Sequence, residues 1–349
     1  MLAVRLALLG VVLFYVVRAL VAGFGEVEWA AFRVDAWWLL AGGVALLASV
    51  AAVGLATAAN IRAMVPASRG AGVSPACPEG VPASHCRPEE PSTWPIDAGE
   101  TPAPRECVPA SSSSPLAVLV AAVAVARMGR YVPGKILTVA GVPLLLRPFG
   151  CNVVAVTAAV LLNSALNVLT GLLVAAPLLM LLPHVRAYVP AGWLWMVLIM
   201  AAMLALLHPA VNGPVFGFLF RKLRKSPPAG AMRVRDYVAP SLWLMVQWAA
   251  MGAGLWCVGR SVDGAFSLSQ WWVCMSTAAL AVTVGFLALF APGGLGVREA
   301  IFLAVFAPLL GVEHASLLAV GMRVMTLVTE VLAAVVGAVV LRYARRAVT

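Results

Sequence analysis

The chain alternates long apolar segments with short polar ones, and this pattern predicts its helices. A membrane-spanning helix needs about 20 mostly apolar residues. The segments that reach this length are 3–24, 37–61, 152–182, 192–211, 238–259, 270–290 and 315–341. Three further apolar runs, at 116–126, 136–146 and 299–310, are too short to span a bilayer comfortably. The pattern predicts an all-α fold, a polytopic bundle of membrane helices.

Composition supports the membrane assignment. Of the 349 residues, 62% are hydrophobic and only 11% are charged, and the mean hydropathy is +0.98. A soluble globular domain carries about 45–50% apolar and about 25% charged residues, so that class is excluded. The N-terminal segment 3–24 contains Arg18 and has no clear small-residue cleavage site. It is therefore expected to be an uncleaved first helix and not a signal peptide.

Basic residues in the polar loops predict the orientation of the helices. Six Lys and Arg residues lie in the loop 212–237, and three arginines lie in the C-terminal segment 342–349. Because short loops rich in Lys and Arg stay in the cytoplasm, both segments and the N-terminus are predicted to be cytoplasmic. The net charge of +10 lies beside apolar spans, so anionic lipid headgroups are the expected partners and nucleic acid is not. The predicted location is the cell inner membrane.

This orientation predicts two broken helical hairpins. Residues 65 and 151 are both placed inside, so residues 116–149 must enter and leave from the cytoplasmic face. Residues 270–311 must likewise start and end outside. The result is six full spans plus two broken or re-entrant hairpins, about eight membrane segments, in one integral membrane domain. Its halves, 1–182 and 192–341, have opposite topology, which predicts an inverted repeat of the kind found in transporters.

Residues 66–115 differ from the rest of the chain. They contain 11 prolines and six of the 14 acidic residues, with no apolar periodicity. This composition predicts a Pro-rich, disordered cytoplasmic loop inserted into the domain. Cys77, Cys86 and Cys107 lie there, but their spacing matches no zinc pattern, and neither a metal nor another cofactor is predicted.

The first break is Arg127-Met-Gly-Arg-Tyr-Val-Pro-Gly-Lys135, with three cations in nine residues. Pro133 removes a backbone donor and Gly134 permits positive φ. Irregular backbone at membrane depth is tolerated only beside protein or a wet cavity. Freed amides with Arg130 and Lys135 would bind an anion such as a lipid phosphate. The alternative is a cytoplasmic turn with ordinary positive-inside residues.

The second break is Pro292-Gly-Gly-Leu-Gly-Val-Arg-Glu299, at the start of a short apolar helix. Gly293, Gly294 and Gly296 allow an unwound turn or close backbone packing. A carboxylate at position 299 suits a helix N-terminus. The alternative to a functional role is a glycine turn with a capping glutamate.

The last span carries two charges, Arg323 and Glu330, seven residues apart on one face. Charges inside a membrane are unfavourable and usually face a cavity or a partner. Glu299 is the candidate partner of Arg323, and Arg130 or Lys135 that of Glu330. The alternative is a purely structural polar clamp.

The predicted spans also contain amide side chains. Asn163 and Asn167 lie one turn apart on the span after the first break. They are expected to form hydrogen bonds between helices, as are Gln247 and His208.

Both breaks resemble hallmarks of one family. The stretches are Gly129-Arg-Tyr-Val-Pro-Gly-Lys135, with the apolar run that ends at Arg147-Pro-Phe-Gly150, and Pro292-Gly-Gly-Leu-Gly-Val-Arg-Glu299. Arg62 and Arg323 fit as well. The chain thus resembles the flippase-like transmembrane domain of lysylphosphatidylglycerol synthases and its stand-alone relatives, over nearly its whole length except 66–115. Many relatives carry an acidic residue where Asn163 falls here.

The resemblance implies movement of a lipid between leaflets. Because the chain ends about eight residues past the last predicted span, no aminoacyltransferase domain is expected, and lipid aminoacylation is not implied. The predicted function is a lipid translocase for a phosphate-bearing phospholipid, glycolipid or isoprenoid lipid. One alternative is a non-catalytic subunit that docks a lipid-modifying enzyme through 66–115. The other is a membrane enzyme acting on a lipid headgroup, although no catalytic constellation is visible.

The predicted site therefore has three parts. The residues expected to bind the lipid phosphate are Arg127, Arg130, Tyr131 and Lys135. Those expected to supply the broken backbone are Pro133, Gly134, Pro292, Gly293, Gly294 and Gly296. Those expected to form a polar relay or gate are Arg298, Glu299, Arg323, Glu330 and Asn163.

Overall fold

The described part of the chain is helical throughout. The computed structural model describes residues 35–64, 115–131, 136–149, 151, 153–181, 183, 192–207, 234–262, 266–288 and 291–347. Within these residues the α-helices are α1 (Ala36–Met64), α2 (Pro115–Arg127), α3 (Ile136–Leu146), α4 (Val153–Leu181), α5 (Gly192–Leu207), α6 (Val234–Val262), α7 (Trp271–Leu287) and α8 (Val297–Arg346). Short 3₁₀ turns occupy Met128–Tyr131, Arg147–Phe149, Leu268–Gln270 and Pro292–Gly294. The predicted all-α fold class is confirmed.

Five helices are long and apolar enough to cross a membrane. These candidate spans are Ala36–Met64, Val153–Leu178, Asp236–Val262, Leu268–Leu287 and Val297–Arg346. The predicted multi-pass helical membrane protein is confirmed at this level. The described part of helix α5 has 16 residues, and the rest of the predicted span 192–211 lies outside the described residues. The predicted span 3–24 and nearly all of the Pro-rich segment 66–115 lie outside the described residues.

Helix α8 folds back on itself at Gly311. This residue has φ 84° and ψ 159°, a conformation that is essentially restricted to glycine. Glu299 lies 12 residues before Gly311 and Arg323 lies 12 residues after it. A straight helix would separate them by about 36 Å, yet Nε of Arg323 is 3.7 Å from Oε1 of Glu299. We therefore name two parts, α8a (residues 297–310) and α8b (312–346), in agreement with the predicted short run and final span.

Two helical hairpins run alongside α8b. Hairpin A consists of α2, the 3₁₀ turn that ends at Tyr131, and α3. Hairpin B consists of α7, the glycine turn 292–296 and α8a. At the base of hairpin B, Phe266 packs against Phe306 with ring centroids 6.4 Å apart.

The two hairpins approach α8b from opposite ends. Helix α2 is antiparallel to α8b, because Ala121 lies beside Gly337 and Arg127 contacts Glu330. Its start is therefore near the C-terminal end of α8b. The base of hairpin B is instead next to Gly311, at the other end. The tips meet between them, where Tyr131 lies beside Gly293.

Two hydrophobic clusters form the core. One is built mainly from α1 to α4, and the other mainly from α6, α7 and α8. Each cluster nevertheless includes residues from both predicted halves, such as Leu244 in the first and Leu46 in the second. Helices α1 and α6 join the two halves at small residues, where Gly42 lies against Cys257.

The outer surface of α8b is apolar, as a lipid-facing surface must be. Its exposed large hydrophobic residues are Val312, Val324, Leu327, Val328, Val331, Leu332, Val335, Val336, Val339 and Tyr343. Basic residues follow only at the C-terminal end, where Arg342, Arg345 and Arg346 are exposed. The buried charges of α8b therefore lie on the opposite, inward face.

Candidate functional site

The tip of hairpin A is bound to Glu330 of α8b. The Glu330 side chain is only 2% exposed. Its Oε1 atom lies 3.0 Å from Nη2 of Arg127 and also accepts a hydrogen bond from Nη2 of Arg130. The Tyr131 hydroxyl donates a 2.8 Å hydrogen bond to Oε2. The predicted Arg130–Glu330 pair is present, whereas Lys135, the alternative partner, lies outside the described residues together with Pro133 and Gly134.

The tip of hairpin B is bound to Arg323, two helical turns before Glu330. Nη1 of Arg323 donates a 3.2 Å hydrogen bond to the carbonyl of Gly293, and its Nε atom lies 3.7 Å from Oε1 of Glu299. The same guanidinium lies 5.8 Å from the ring centroid of Tyr131. The predicted Arg323–Glu299 pair is therefore present, and Arg323 links hairpin B, α8b and the tip of hairpin A.

Glu299 also stabilises the start of α8a. Its Oε2 atom accepts a 2.8 Å hydrogen bond from the backbone N–H of Gly296, which is half of a capping box. The capping role, which the sequence left as an alternative, is thus present beside the ion pair. Together they brace the turn between α7 and α8a.

Glycine lets the tip of hairpin B approach its neighbours closely. Gly293 and Gly294 have φ of 61° and 72°, values that residues with a side chain rarely adopt. A Cβ atom on Gly293 would lie 3.1 Å from Cδ1 of Tyr131, and one on Gly294 would lie 2.9 Å from Nε of Arg298. The turn starts at Pro292 and ends at Gly296, which also has a positive φ of 81°. The predicted unwound backbone is present at this break.

Arg298 differs from the other three arginines of the site. It is 7% exposed, and its Nε atom, like those of Arg127 and Arg130, is enclosed without a hydrogen-bond partner. What sets it apart is that, in the described part of the chain, no carboxylate pairs with it and no acceptor receives a hydrogen bond from it. Arg130 and Arg323 repel it, and the carboxylate of Glu330 attracts it without forming an ion pair. A buried guanidinium in this position lacks the compensation that buried charges require.

A cavity of about 140 Å³ lies between the helices at this level. One water molecule needs about 10–15 Å³ measured this way, so the cavity can hold several waters or a small polar group. Its described polar lining consists of Thr57, Arg127, Arg130, Asn163, Ser164, Asn167, Gln247, Thr283 and Arg298. All of the described charged residues that line it are arginines.

A belt of amides forms the wall away from the hairpin tips. Asn60 donates a 3.1 Å hydrogen bond to Oδ1 of Asn163, which joins α1 to α4. Asn167 donates a 2.8 Å hydrogen bond to Oε1 of Gln247, which joins α4 to α6. The predicted bonds of Asn163, Asn167 and Gln247 between helices are confirmed, whereas His208 lies outside the described residues. Asn60 escaped sequence reasoning, although an amide within an apolar helix is the signal that would have revealed it.

The site has an excess of positive charge. Four arginines (Arg127, Arg130, Arg298 and Arg323) and two glutamates (Glu299 and Glu330) meet within the described residues. With both carboxylates ionised, two positive charges remain uncompensated. Since buried charge is unfavourable without a counter-charge, this arrangement suits an anion. No group of three His, Cys, Asp or Glu side chains suited to a metal ion occurs in the described ranges.

Several of the predicted site residues make contacts in the structure that differ from the predicted ones. Arg127, Arg130 and Tyr131 were predicted to bind a lipid phosphate, but all three donate hydrogen bonds to Glu330. Arg298 was predicted to act in a relay or gate, but it is the cation that is left without a carboxylate. Asn163 was also predicted to act in the relay or gate, but it lines the cavity as part of the amide belt and accepts its hydrogen bond from Asn60.

No protein-family model matches the chain, and a comparison with curated proteins finds no match. The resemblance to the flippase-like domain of lysylphosphatidylglycerol synthases therefore remains a prediction from the two motifs. What the site can do has to be argued from its geometry.

Proposed function

We propose that the protein is an integral membrane lipid translocase of the flippase-like kind, which moves a phosphate-bearing lipid between leaflets. The observation that carries the proposal is the buried cavity with excess positive charge at the meeting point of two opposed hairpins. Its ligand would be an anionic headgroup, held by Arg298 together with the free sides of Arg127 and Arg130. The lipid would be a phospholipid, a glycolipid or an isoprenoid lipid.

Depth supports this proposal. From Gly311 to Leu341 the helix α8b rises about 45 Å, close to the about 40–45 Å of a bilayer with its headgroups. Arg323 lies about 18 Å along α8b from Gly311, and Glu330 lies about 17 Å from Leu341. When α8b spans the bilayer, both ion-pair clusters are therefore near the middle, where a translocated headgroup must pass.

The opposed hairpins support a mechanism of alternating access. Both tips line the cavity, hairpin A through Arg127 and Arg130 and hairpin B through Gly293. Each tip is held by polar contacts that can be exchanged for contacts with a ligand. Release of hairpin B from Arg323 would open the path from the Gly311 side. Release of hairpin A from Glu330 would open the path from the C-terminal side. The predicted topology, about eight membrane segments in two inverted halves, fits the same mechanism. Both termini would lie in the cytoplasm, and the membrane would be the cell inner membrane.

The test is lipid movement in proteoliposomes that contain the purified full chain. The variant to compare is Arg298→Gln, because it removes the uncompensated cation and leaves every described carboxylate with its partner. The matched control is Arg342→Gln, the same change at an exposed position near the C-terminal end of α8b. We expect labelled phosphate lipids to redistribute with the natural chain and the control, and at least about tenfold more slowly with Arg298→Gln.

Two results would contradict the proposal. One is a folded protein that moves no phosphate lipid above protein-free vesicles, with or without an ion gradient. Loss of cellular function on deletion of 66–115 but not in Arg298→Gln would then favour the docking subunit. The other is a covalently altered lipid produced by the purified protein, which would favour an enzyme.

A further inference from the structure

We infer that the headgroup taken by this cavity is an anion joined to an uncharged, hydroxyl-bearing group, such as a polyol phosphate or a sugar phosphate. This inference rests on the proposed function and narrows its substrate class. Arg298 would bind the anion, and the amide belt of Asn163, Asn167 and Gln247 would bind the hydroxyls.

Arg298 is the receptor for the anion because, among the described residues, it is the arginine of the site that has no carboxylate partner. Arg127 and Arg130 neutralise Glu330, and Arg323 neutralises Glu299. Arg298 lines the cavity, is more than nine-tenths buried, and donates no hydrogen bond within the described residues. A guanidinium binds phosphate through paired N–H donors, so its planar fork suits this ligand.

The amide belt leaves both donors and an acceptor for a ligand. The bond from Asn60 uses Oδ1 of Asn163, which leaves the Nδ2 donors of Asn163 without a partner in the described residues. The bond from Asn167 uses Oε1 of Gln247. Nε2 of Gln247 is therefore left as a donor for a ligand, and Oδ1 of Asn167 is left as an acceptor. Hydroxyl groups both donate and accept hydrogen bonds. A mixed wall of donors and acceptors is therefore matched by hydroxyls better than by an ammonium, which only donates.

A cationic headgroup finds no counterpart in the same wall. The described lining contains three arginines and no carboxylate. A quaternary ammonium is usually held by a cage of aromatic rings, but Phe286 is the single aromatic residue in the described lining. An amine or choline group would thus meet like charge without compensation. Specificity for an uncharged group would arise from this repulsion as well as from the amides.

The experiment measures binding to the detergent-solubilised full chain by the shift of its unfolding temperature over a concentration series. The short-chain probes are dihexanoyl phosphatidylglycerol, phosphatidylcholine and phosphatidic acid, and a dihexanoyl glycerol linked to glucose without phosphate. Free glycerol 3-phosphate distinguishes a soluble ligand from a lipid headgroup. We expect phosphatidylglycerol to bind at least about tenfold more tightly than phosphatidylcholine, with phosphatidic acid in between.

Two variants separate the anion from the hydroxyls. Arg298→Gln should lower the affinity for phosphatidylglycerol at least about tenfold, as expected for the loss of charge-assisted hydrogen bonds. Gln247→Glu keeps the acceptor for Asn167 but removes the free donors and adds a carboxylate to the wall. It should reverse the preference, so that a phosphatidylethanolamine probe binds more tightly than phosphatidylglycerol. Arg342→Gln should change neither affinity.

Three other outcomes would overturn the inference, and each would refute a different part of it. Equal affinity for all phosphate lipids, with Arg298→Gln weakening all of them, would refute the hydroxyl preference while the translocase proposal stands. Tight binding of the neutral glucolipid, unaffected by Arg298→Gln, would refute the anion receptor. Binding of free glycerol 3-phosphate without any lipid probe would refute a lipid headgroup site and the proposed function with it.

Discussion

The two hairpin tips meet the same helix with opposite charge. Hairpin A brings two cations, Arg127 and Arg130, to the carboxylate of Glu330. Hairpin B brings a carbonyl and a carboxylate, from Gly293 and Glu299, to the cation of Arg323. Each tip can therefore dock only at its own position on α8b, because exchange would place like charges together.

The two docking sites also differ in strength. Glu330 is almost fully buried and accepts three hydrogen bonds, two of them at 3.0 Å and 2.8 Å. Arg127 and Arg323 are similarly exposed, at 19% and 20%, but the Arg323–Glu299 pair is longer, at 3.7 Å, and the Glu299 side chain is 9% exposed against 2% for Glu330. Because the attraction of an ion pair falls with distance and with exposure to solvent, hairpin B is expected to be held more weakly. This comparison indicates that hairpin B releases first, and the following variants test it.

The largest effect is expected from Glu330→Gln, which leaves two buried arginines without a counter-charge. Loss of one partner of a buried ion pair costs about 3–5 kcal/mol. Chemical or thermal unfolding of the purified protein should show a loss of this size, and the double variant with Arg130→Gln should recover part of it. A loss below about 1 kcal/mol would mean that the Glu330 cluster does not hold hairpin A.

The next effect is expected from Tyr131→Phe. The variant removes the hydroxyl that donates to Oε2 of Glu330 but keeps the ring beside Gly293 and Arg323. A hydrogen bond to a charged group contributes about 1.5–3 kcal/mol, so unfolding should require less denaturant by a corresponding amount. Hydrogen exchange at 128–131 should rise while exchange at 293–294 stays unchanged. Equal increases at both tips would argue against separate docking sites.

A smaller effect is expected from Arg323→Gln. The variant loses a long ion pair and one hydrogen bond to a backbone carbonyl, together about 1 kcal/mol, while Glu299 keeps its bond to Gly296. Exchange of the amides of Gly293 and Gly294 should increase more than exchange at 128–131. A loss of stability as large as that of Glu330→Gln would reverse the predicted order of the two hairpins.

The smallest effect, with the opposite sign, is expected from Arg298→Gln. Removal of a buried cation without a partner relieves repulsion from Arg130 and Arg323. In lipid-free detergent the free energy of unfolding should therefore be unchanged or higher by about 1 kcal/mol or less, although lipid movement is impaired. Destabilisation by more than about 2 kcal/mol would show that Arg298 has a structural partner, and would remove the basis for its role as the anion receptor.

The sequence by itself determined the class of the protein and the residues that matter most. Long apolar runs specify membrane helices because the hydrocarbon layer excludes unpaired backbone groups. Charges within such runs are unfavourable, so Arg323 and Glu330 already indicated partners: Glu299 for Arg323, and either Arg130 or Lys135 for Glu330. The short runs at 116–126, 136–146 and 299–310 correspond to the arms of the two hairpins.

Only the tertiary structure decided which charge is left over. Arg127, Arg130 and Arg298 look alike as cations beside glycine-rich breaks, and their sequence neighbours do not distinguish them. The reversal at Gly311 and the opposed entry of the hairpins bring two arginines to Glu330 and one to Glu299. Charge compensation depends on distances across the fold and not along the chain. For the same reason the cavity, and the amides that face it from α4 and α6, could be located only once the helices were packed.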